Sequence, residues 1–529
     1  MTGMTAPEPG PGHGLDRTYS REYTHPGPTM DRFRPALLTL LTAACATAQV
    51  STEIIGWTTR DRQVYGPALR YLVNDTRSGL HAVWKDDLSS IRYNFRPHGG
   101  VWRWPEGTVV NSWPRNLGCL DVSRSDSRPF ISTDFFERGT PQLSYFADTA
   151  VGCGVFVERE FSSGARNNLV ACANFGTPKF AAVRNDTLYY RSSFASLRIG
   201  HVGPFPAHNL AVSKQTGRFG YIWAATSGPD RGRLYLKETP NHGQDWYPTR
   251  NLSDSVPSSL NRSLLGACAT YDTTRIHLVA DLYDGNDLFR VQLWHFCPGN
   301  QPPWSLVSER SHPATFPIGD QALFACRPSI AIDRRRRDSD LAQLCVVWEE
   351  FDPENIDPRT GLARADIWAC RSADNGRSWG APVRLTRPDS TSKRFPFVAE
   401  AFVDTIYILY FADRIAGFWE QGQGDSTRNP VVLLAAPTEL LPTALAEPGP
   451  TPPDRPVASA TVLGRDAALP LQADAGRVNL LDAFGRRVLT FDPHRPTPPA
   501  TLHGLPAGVY FAVGDTVGHP RCRRIVKIH

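Results

Sequence analysis

Short apolar runs recur through the middle of the chain, each ending in an aromatic or branched residue and often an acid. They stand at 80–86 (LHAVWKD), 143–148 (LSYFAD), 180–186 (FAAVRND), 220–225 (GYIWAA), 276–281 (IHLVAD), 345–350 (CVVWEE) and 408–413 (ILYFAD). Their shortness, their β-branched and aromatic content and the turn residues around them predict strands. No long stretch has convincing helical periodicity. Upstream of some runs lie strands rich in small residues, at 169–174 (LVACAN) and 265–270 (LGACAT), suited to the crowded centre of a radial structure. Successive units stand roughly 40 to 70 residues apart, the spacing of four-stranded propeller blades with loop insertions. The predicted fold class is therefore all-β. Seven units predict a β-propeller of seven blades over 50–440; six is the alternative if one unit belongs to its neighbour. The segment 51–57 (STEIIGW) is placed to supply the outer strand of the last blade and so remove an exposed sheet edge.

A second signature follows a third strand. Residues 372–379 (SADNGRSW) fit S/T-x-D/N-x-G-x-x-W through Ser372, Asp374, Gly376 and Trp379, and residues 239–246 (TPNHGQDW) fit it through Thr239, Asn241, Gly243 and Trp246. In such a turn the Asp or Asn side chain caps backbone amides, glycine takes a conformation that a Cβ forbids, and Trp packs back between blades. Gly99 with Trp102, and Trp304 after a Pro-Gly turn, keep part of the pattern. These segments resemble the Asp-box, or BNR repeat, of sialidases and related propellers. The resemblance implies structural turns on the face opposite a ligand site, with no chemistry of their own.

The loops leaving the second strands are then expected on the ligand face, where Asp86, Asp148, Asp281, Glu350 and Asp413 would form a partial acidic ring. Such a ring can hold Ca²⁺ or polyols through carboxylate oxygens; alternatively each acid caps its own turn or pairs with an arginine. The longest insertion, 351–366, adds Asp352, Glu354 and Asp357 and reads as a functional loop or a solvated excursion. The segment 281–287 (DLYDGND) has the look of a calcium loop, but its ligand order is not that of an EF-hand. The sialidase family carries a Phe/Tyr-Arg-Ile-Pro motif before the first box, and this chain has none; the FRP at 95–97 lacks the Ile and is expected at a turn. Tyr410 and Glu349 fall in strand patterns that the repeat explains, so no catalytic residue is assigned and the metal question stays open.

Both ends of the chain read as an address. Residues 1–48 form a leader in which Met30 is the expected start. Arg32 and Arg34 precede an apolar stretch at 35–44 and the small-residue site Ala46-Thr47-Ala48, the pattern of a secretory signal peptide. The apolar stretch is too short to span a bilayer, and no membrane span is expected in the mature chain. A proline-rich tether occupies 441–458. Residues 459–529 carry a hairpin around Gly485, a strand opening at Gly508 with Tyr510, and a basic-apolar final strand with Lys527. This order resembles the C-terminal type A sorting domain of bacterial type IX secretion, a small β-sandwich. The resemblance implies that the type IX machinery is a partner and that the chain is released at, or attached to, the outer cell surface.

Composition adds little chemistry. Gly (42), Pro (45) and 13 Trp in 529 residues suit strands and turns. A net charge of +5, spread along the chain, gives no nucleic-acid footprint. The run 334–337 (RRRR) is expected at a hairpin tip. The ten cysteines show no zinc spacing. The function expected first is a non-catalytic module binding a glycan or a surface protein. The alternative is a sialidase-like glycoside hydrolase using the ligand-face carboxylates, and a third reading is a structural spacer.

Overall fold

The computed structural model describes residues 49–444, apart from 65, 87–89, 112–114, 117, 138–139, 164–165, 175–176, 192–195, 202–206 and 337–338, together with five strands between 461 and 527. The leader, most of the tether and Gly485 lie outside these residues. Seven sheets, each built on four antiparallel strands, make a seven-bladed propeller; the sheet of blade six gains a short parallel fifth strand, Ala401–Phe402. Blades one to six span 72–109, 119–163, 166–201, 207–251, 267–309 and 325–384. Blade seven takes its first three strands from 392–437 and its fourth, Ser51–Thr58, from the start of the propeller. The ring is thus closed by the segment expected to close it, in register from Ser51 opposite Ala435 to Thr58 opposite Asn429.

First strands of neighbouring blades touch one another and line the axis. Small side chains are required there. Gly266, at φ +89°, lets blade five approach blade four so closely that a Cβ would lie 2.9 Å from the Ala207 carbonyl oxygen. Second strands are covered on both faces by adjacent blades, so Ile276–Leu282 is buried at every position. That is why these strands read as continuous apolar runs rather than alternating ones. The apolar side chains of blades four and five form one shared cluster, and those of blades six and seven another.

Strand order assigns the two rims. The 2→3 turns and 4→1 crossovers lie on the upper face, and the 1→2 and 3→4 turns on the lower. Both S/T-x-D/N-x-G-x-x-W segments are 3→4 turns, in blades four and six. In blade six the Ser372 hydroxyl accepts from the Gly376 amide (2.9 Å), and Asp374 Oδ1 from the amides of Arg377 (3.0 Å) and Ser378 (2.9 Å). In blade four Thr239 accepts from Gly243 (3.0 Å) and Asn241 from Asp245 (2.8 Å). Gly376 has φ +78°, and a Cβ there would strike the His295 ring at 2.3 Å. Each turn is clamped to the preceding blade. Trp379 donates to the Ser305 hydroxyl (3.2 Å) and packs edge-on against His295, and Trp246 meets Tyr190 at 5.5 Å. Trp102, from the degenerate turn of blade one, likewise donates to Glu53 of the closing strand (3.1 Å).

Three expectations change. LSYFAD belongs to the third strand of blade two, Thr140–Asp148, not to its second, Pro129–Glu137. The insertion at 351–366 is mostly no loop: the second and third strands of blade six run on to Ile356 and from Ala363 as a long hairpin. Arg96 and Pro97 of FRP end a third strand, where Arg96 pairs with Glu53 at the surface (3.1 Å). The run at 334–337 does lie between first and second strands. Seven cysteines among the described residues are free thiols, six of them buried.

The C-terminal strands form one sheet in the order Thr461–Leu463, Arg521–Lys527, Gly508–Gly514, Val478–Asp482, Arg487–Phe491. The hairpin expected around Gly485 is present as Val478–Asp482 against Arg487–Phe491. Gly508 opens its strand, Tyr510 lies in it, and Lys527 closes the last strand. One layer of the expected sandwich is thus seen among the described residues. No described helix is long and apolar enough to cross a membrane.

Removing 49–58 from the chain should expose the edge Asn429–Pro437 and give concentration-dependent association in light scattering with a lowered thermal midpoint. Ile55→Asp, placing a charge at a buried position of the closing strand, should destabilise by about 3 kcal/mol or more in chemical denaturation. A monomeric truncation with an unchanged midpoint would show that closure is dispensable.

Candidate functional site

Of the five expected acids, Asp86, Asp281 and Asp413 do stand at the upper ends of second strands and Glu350 lies within one that continues to Ile356, but each is held by its own surroundings. Asp86 accepts from the Ser90 amide (2.9 Å) and Arg92 Nε (2.6 Å). Glu350 is gripped by Arg310, with Nε at 2.6 Å, and by the Trp348 indole (3.1 Å). Asp281 is fully buried and accepts from the Arg327 amide (2.9 Å) and the Ser263 hydroxyl (3.2 Å); burial pushes its carboxyl up to about 7. Asp413 accepts from the Ile415 amide (3.1 Å) and Asn429 Nδ2 (2.9 Å), and burial raises it to about 7 as well. Asp148, at the end of a third strand, stands on the lower face instead, capping the amides of Gly154 and Val155 (both 3.2 Å). The acids form no common cage. Among the described residues no group of three or more His, Cys, Asp or Glu side chains is placed to hold a metal ion. Asp284, in the segment at 281–287, caps the amides of Asn286 and Asp287 in its own turn.

The concentration of charge lies one residue away. Glu349 points to the other side of its strand from Glu350 and is completely buried. It meets Arg327 Nη1 (2.6 Å), Arg394 Nη2 (3.4 Å) and the Phe395 amide (2.6 Å). Burial alone would raise its carboxyl; the cations of Arg394 and Arg327 outweigh it and hold the group below the usual range. The two arginines occupy adjacent, not equivalent, places in the bulged first strands of blades six and seven: in Cys326-Arg327-Pro328 and Arg394-Phe395-Pro396, Arg327 matches Phe395 and Arg394 matches Cys326. Proline offers no ladder N–H, and both strands skip register there, between Cys326 and Ser329 and between Arg394 and Phe397. Arg327 (φ +52°) and Phe395 (φ +55°) take up the resulting bulges. The Arg394 guanidinium lies 4.9–5.3 Å from the ring centres of Phe351, Phe418 and Phe395.

Asp61 and Arg62 join this knot from the 4→1 crossover into blade one. Asp61 accepts from the Trp419 amide, while its Oδ1 is buried with no hydrogen-bond partner. Burial, opposed by that amide and added to by the Glu420 charge, raises its carboxyl to about 6. The Asp61 charge in turn helps to raise Asp413, so the two carboxyls are electrostatically linked. Arg62 packs over Phe418 (4.8 Å) and Arg60 over Trp419 (5.4 Å). Tyr71 is close by, but its hydroxyl donates to the Gln63 carbonyl and burial drives its pKa well up, the opposite of an activated nucleophile.

Sequence reasoning missed Asp61, Arg62, Arg327 and Arg394, and left Glu349 as a mere strand residue. The two Arg/Pro pairs in successive first strands were the available signal, since proline inside a strand marks a bulge. Asp61 and Arg62 carry no comparable signal. Tyr410 lies where the strand pattern puts it, in the apolar cluster between blades six and seven. Asp352 pairs with Arg384 (2.7 Å), and Asp357 is buried against Arg359 and Arg364 (3.0 and 3.1 Å).

No protein-family model matches this chain, and no curated protein matches it. Solved structures similar to it include a protein of unknown function from Dyadobacter fermentans, at 10% identity over 73% of this chain and 99% of that one, with a TM-score of 0.38. A polysaccharide lyase of family PL25, an ulvan lyase, is similar at 9% identity over 68% and 93%, with a TM-score of 0.41. Trypanosoma rangeli sialidase in complex with sialic acid is similar at 10% identity over 73% and 58%, with a TM-score of 0.36. Likenesses this distant leave the function to the side chains of this chain.

The raised carboxyl of Asp413 makes a signed prediction. Between its ordinary 3.8 and about 7 the folded chain keeps a proton that the unfolded chain has released. Its contribution to stability therefore falls as pH rises across that window. Asp413→Asn should stabilise the protein relative to wild type at pH 8, by an amount on the order of a few kcal/mol that fades toward pH 4. Denaturant titrations across pH read this out, and a difference independent of pH would refute the assignment.

Proposed function

We propose that this chain is an exported β-propeller that binds carbohydrate on its upper face without transforming it. The observation that carries the reading is Asp61. A buried carboxylate oxygen without a partner is an exception to the rule that such groups are hydrogen-bonded, and a ligand hydroxyl that reached it past the half-exposed Trp419 would satisfy it. Asp61 stands beside Trp419 and the arginines of the knot, the mixture of aromatic surface and a few fixed polar groups that suits a sugar. Against catalysis, Asp86 and Glu350 are tied to arginines, and Asp281 is closed off from solvent. The two good S/T-x-D/N-x-G-x-x-W turns, read as Asp-boxes, lie on the lower face, which fits a ligand site on the upper one.

A glycoside hydrolase is the second reading, favoured by one observation: Asp61 and Asp413 are linked carboxyls with raised pKa values of about 6 and about 7. Carboxyls that titrate near neutrality are what general acid–base work on a glycosidic bond uses.

Export by type IX secretion, with delivery to the outer surface, rests on the leader and on the motif order around Gly485, Gly508, Tyr510 and Lys527. The hairpin and strand pairings of the C-terminal sheet support it. Deleting 459–529 should strand the chain in the periplasm; continued surface display would refute this address.

The full-length chain, titrated against a panel of neutral and acidic oligosaccharides, should bind at least one. Asp61→Asn should weaken that binding about tenfold, and no new reducing ends should appear by mass spectrometry. Products that vanish in Asp61→Asn or Asp413→Asn would instead establish the hydrolase. Binding unchanged in Asp61→Asn would remove the site from the upper face.

A further inference from the structure

The lower mouth of the central channel opens into a cavity of about 700 Å³. Its walls are the ends of first strands and the 1→2 turns that follow them. Four of its side chains are cationic and come from four different blades: Arg77 from blade one, Arg124 from blade two, Lys214 from blade four and Arg334 from blade six. The run at 334–337 is thereby split in purpose. Arg335 turns outward to Asp333 (3.2 Å) and Asp404 (2.7 Å), while Arg334, half-buried, is one of the residues that line the mouth.

The acids of this mouth are already committed. Glu400 is held by the buried Arg70, and Asp121 by Lys214 and Arg70 (3.7 Å). Asp75 accepts from the Ser78 amide (2.9 Å), the Ser78 hydroxyl (2.7 Å) and the Arg77 amide (3.2 Å). Counting these, cations outnumber carboxylates among the described residues of the mouth. The arginines are also positioned from behind: Arg77 Nη1 donates to the Ser125 carbonyl (3.2 Å), and Arg124 Nη1 to that of Lys214. Both side chains are exposed. A concave, low-dielectric wall around such charges focuses a positive potential on the axis.

Charges set on separate blades around an axis cannot all meet one small anion. We propose that the lower mouth is a second binding site, for a compact polyhydroxylated ring carrying several sulfate or phosphate groups. Each oxyanion would face one blade's guanidinium or ammonium, and the ring would sit over the axis. The cavity volume lies within the usual range for a ligand of that size. This site is independent of the upper-face reading: it uses other residues, on the other rim.

The test uses the full-length chain and two probes, sucrose octasulfate and myo-inositol hexakisphosphate, with sucrose, inositol and inorganic phosphate as controls. Calorimetry should show binding of at least one probe that weakens steeply between about 50 and 200 mM salt, and none of the controls should match it. A preference between the two probes identifies sulfate or phosphate as the natural charge. The double variant Arg77→Glu, Arg124→Glu reverses two exposed charges without touching the Arg70 and Lys214 pairs. It should keep the wild-type thermal midpoint and lose at least about tenfold in affinity. Asp61→Asn should leave this binding unchanged whatever it does to sugars on the upper face. Failure of both probes to bind, binding equalled by inorganic phosphate, or binding that the double variant leaves within about twofold would overturn the proposal.

Discussion

Everything in this molecule depends on the ring being closed. Seven blades packed face to face bury most of their central strands, but a linear chain that ends on a third strand leaves the last blade without its outer strand and its two ends untied. Here Ser51–Thr58 supplies that strand by pairing with Asn429–Pro437. The consequence reaches both rims. The closing strand presents Glu53 to Trp102 on the lower face, and at its upper end the chain turns through Asp61 and Arg62 into the axis before blade one begins. The residues of greatest chemical interest are thus carried by the crossover that closure creates.

The propeller was legible because its physics is repetitive. Second strands are covered on both sides and so announce themselves as unbroken apolar runs; two turns carry a side-chain capping code that the hydrogen bonds reproduce. The misreading of LSYFAD is instructive. Third strands obey nearly the same burial rule as second strands, and a resemblance of composition to ILYFAD does not tell the two apart. Strand order decides which rim an acid faces, so this one misassignment carried Asp148 to the wrong side.

The upper-face chemistry was much less legible, and the reason is geometric. The repeat locates acids near strand ends, where a turn needs capping; Asp86, Asp148 and Asp413 are consumed in that way, while Glu350 is taken up by Arg310 and Asp281 by the Arg327 amide. The knot is instead assembled from Glu349, one residue earlier on the opposite side of its strand, and from arginines delivered by bulged first strands. Bulges displace side chains from the alternation on which pattern reading relies. Asp61 lies in a connection with no period at all.

The two ends of the channel dispose of positive charge in opposite ways, and topology explains the difference. First strands start at the upper rim, and there the long hairpin of blade six and the 2→3 loop of blade seven meet as a roof: Asp357 accepts from the Ala416 amide (3.0 Å), and Arg359 donates to the Arg414 carbonyl. Phe351 and Phe418 from these two segments lie over Arg394, so water is excluded and each cation needs an acid at contact distance, because a buried unpaired charge is costly. Glu349, with both oxygens engaged by two guanidinium groups, a thiol and an amide, satisfies that demand. First strands end at the lower rim, where Arg77 and Arg124 stand in short turns and are exposed. Water and ions reach both side chains, so their charge is tolerated there with backbone carbonyls as partners. The same axis therefore offers an enclosed, internally neutralised cluster with one unanswered carboxylate oxygen at its top and an open ring of cations at its bottom. Ligands of different charge suit the two ends.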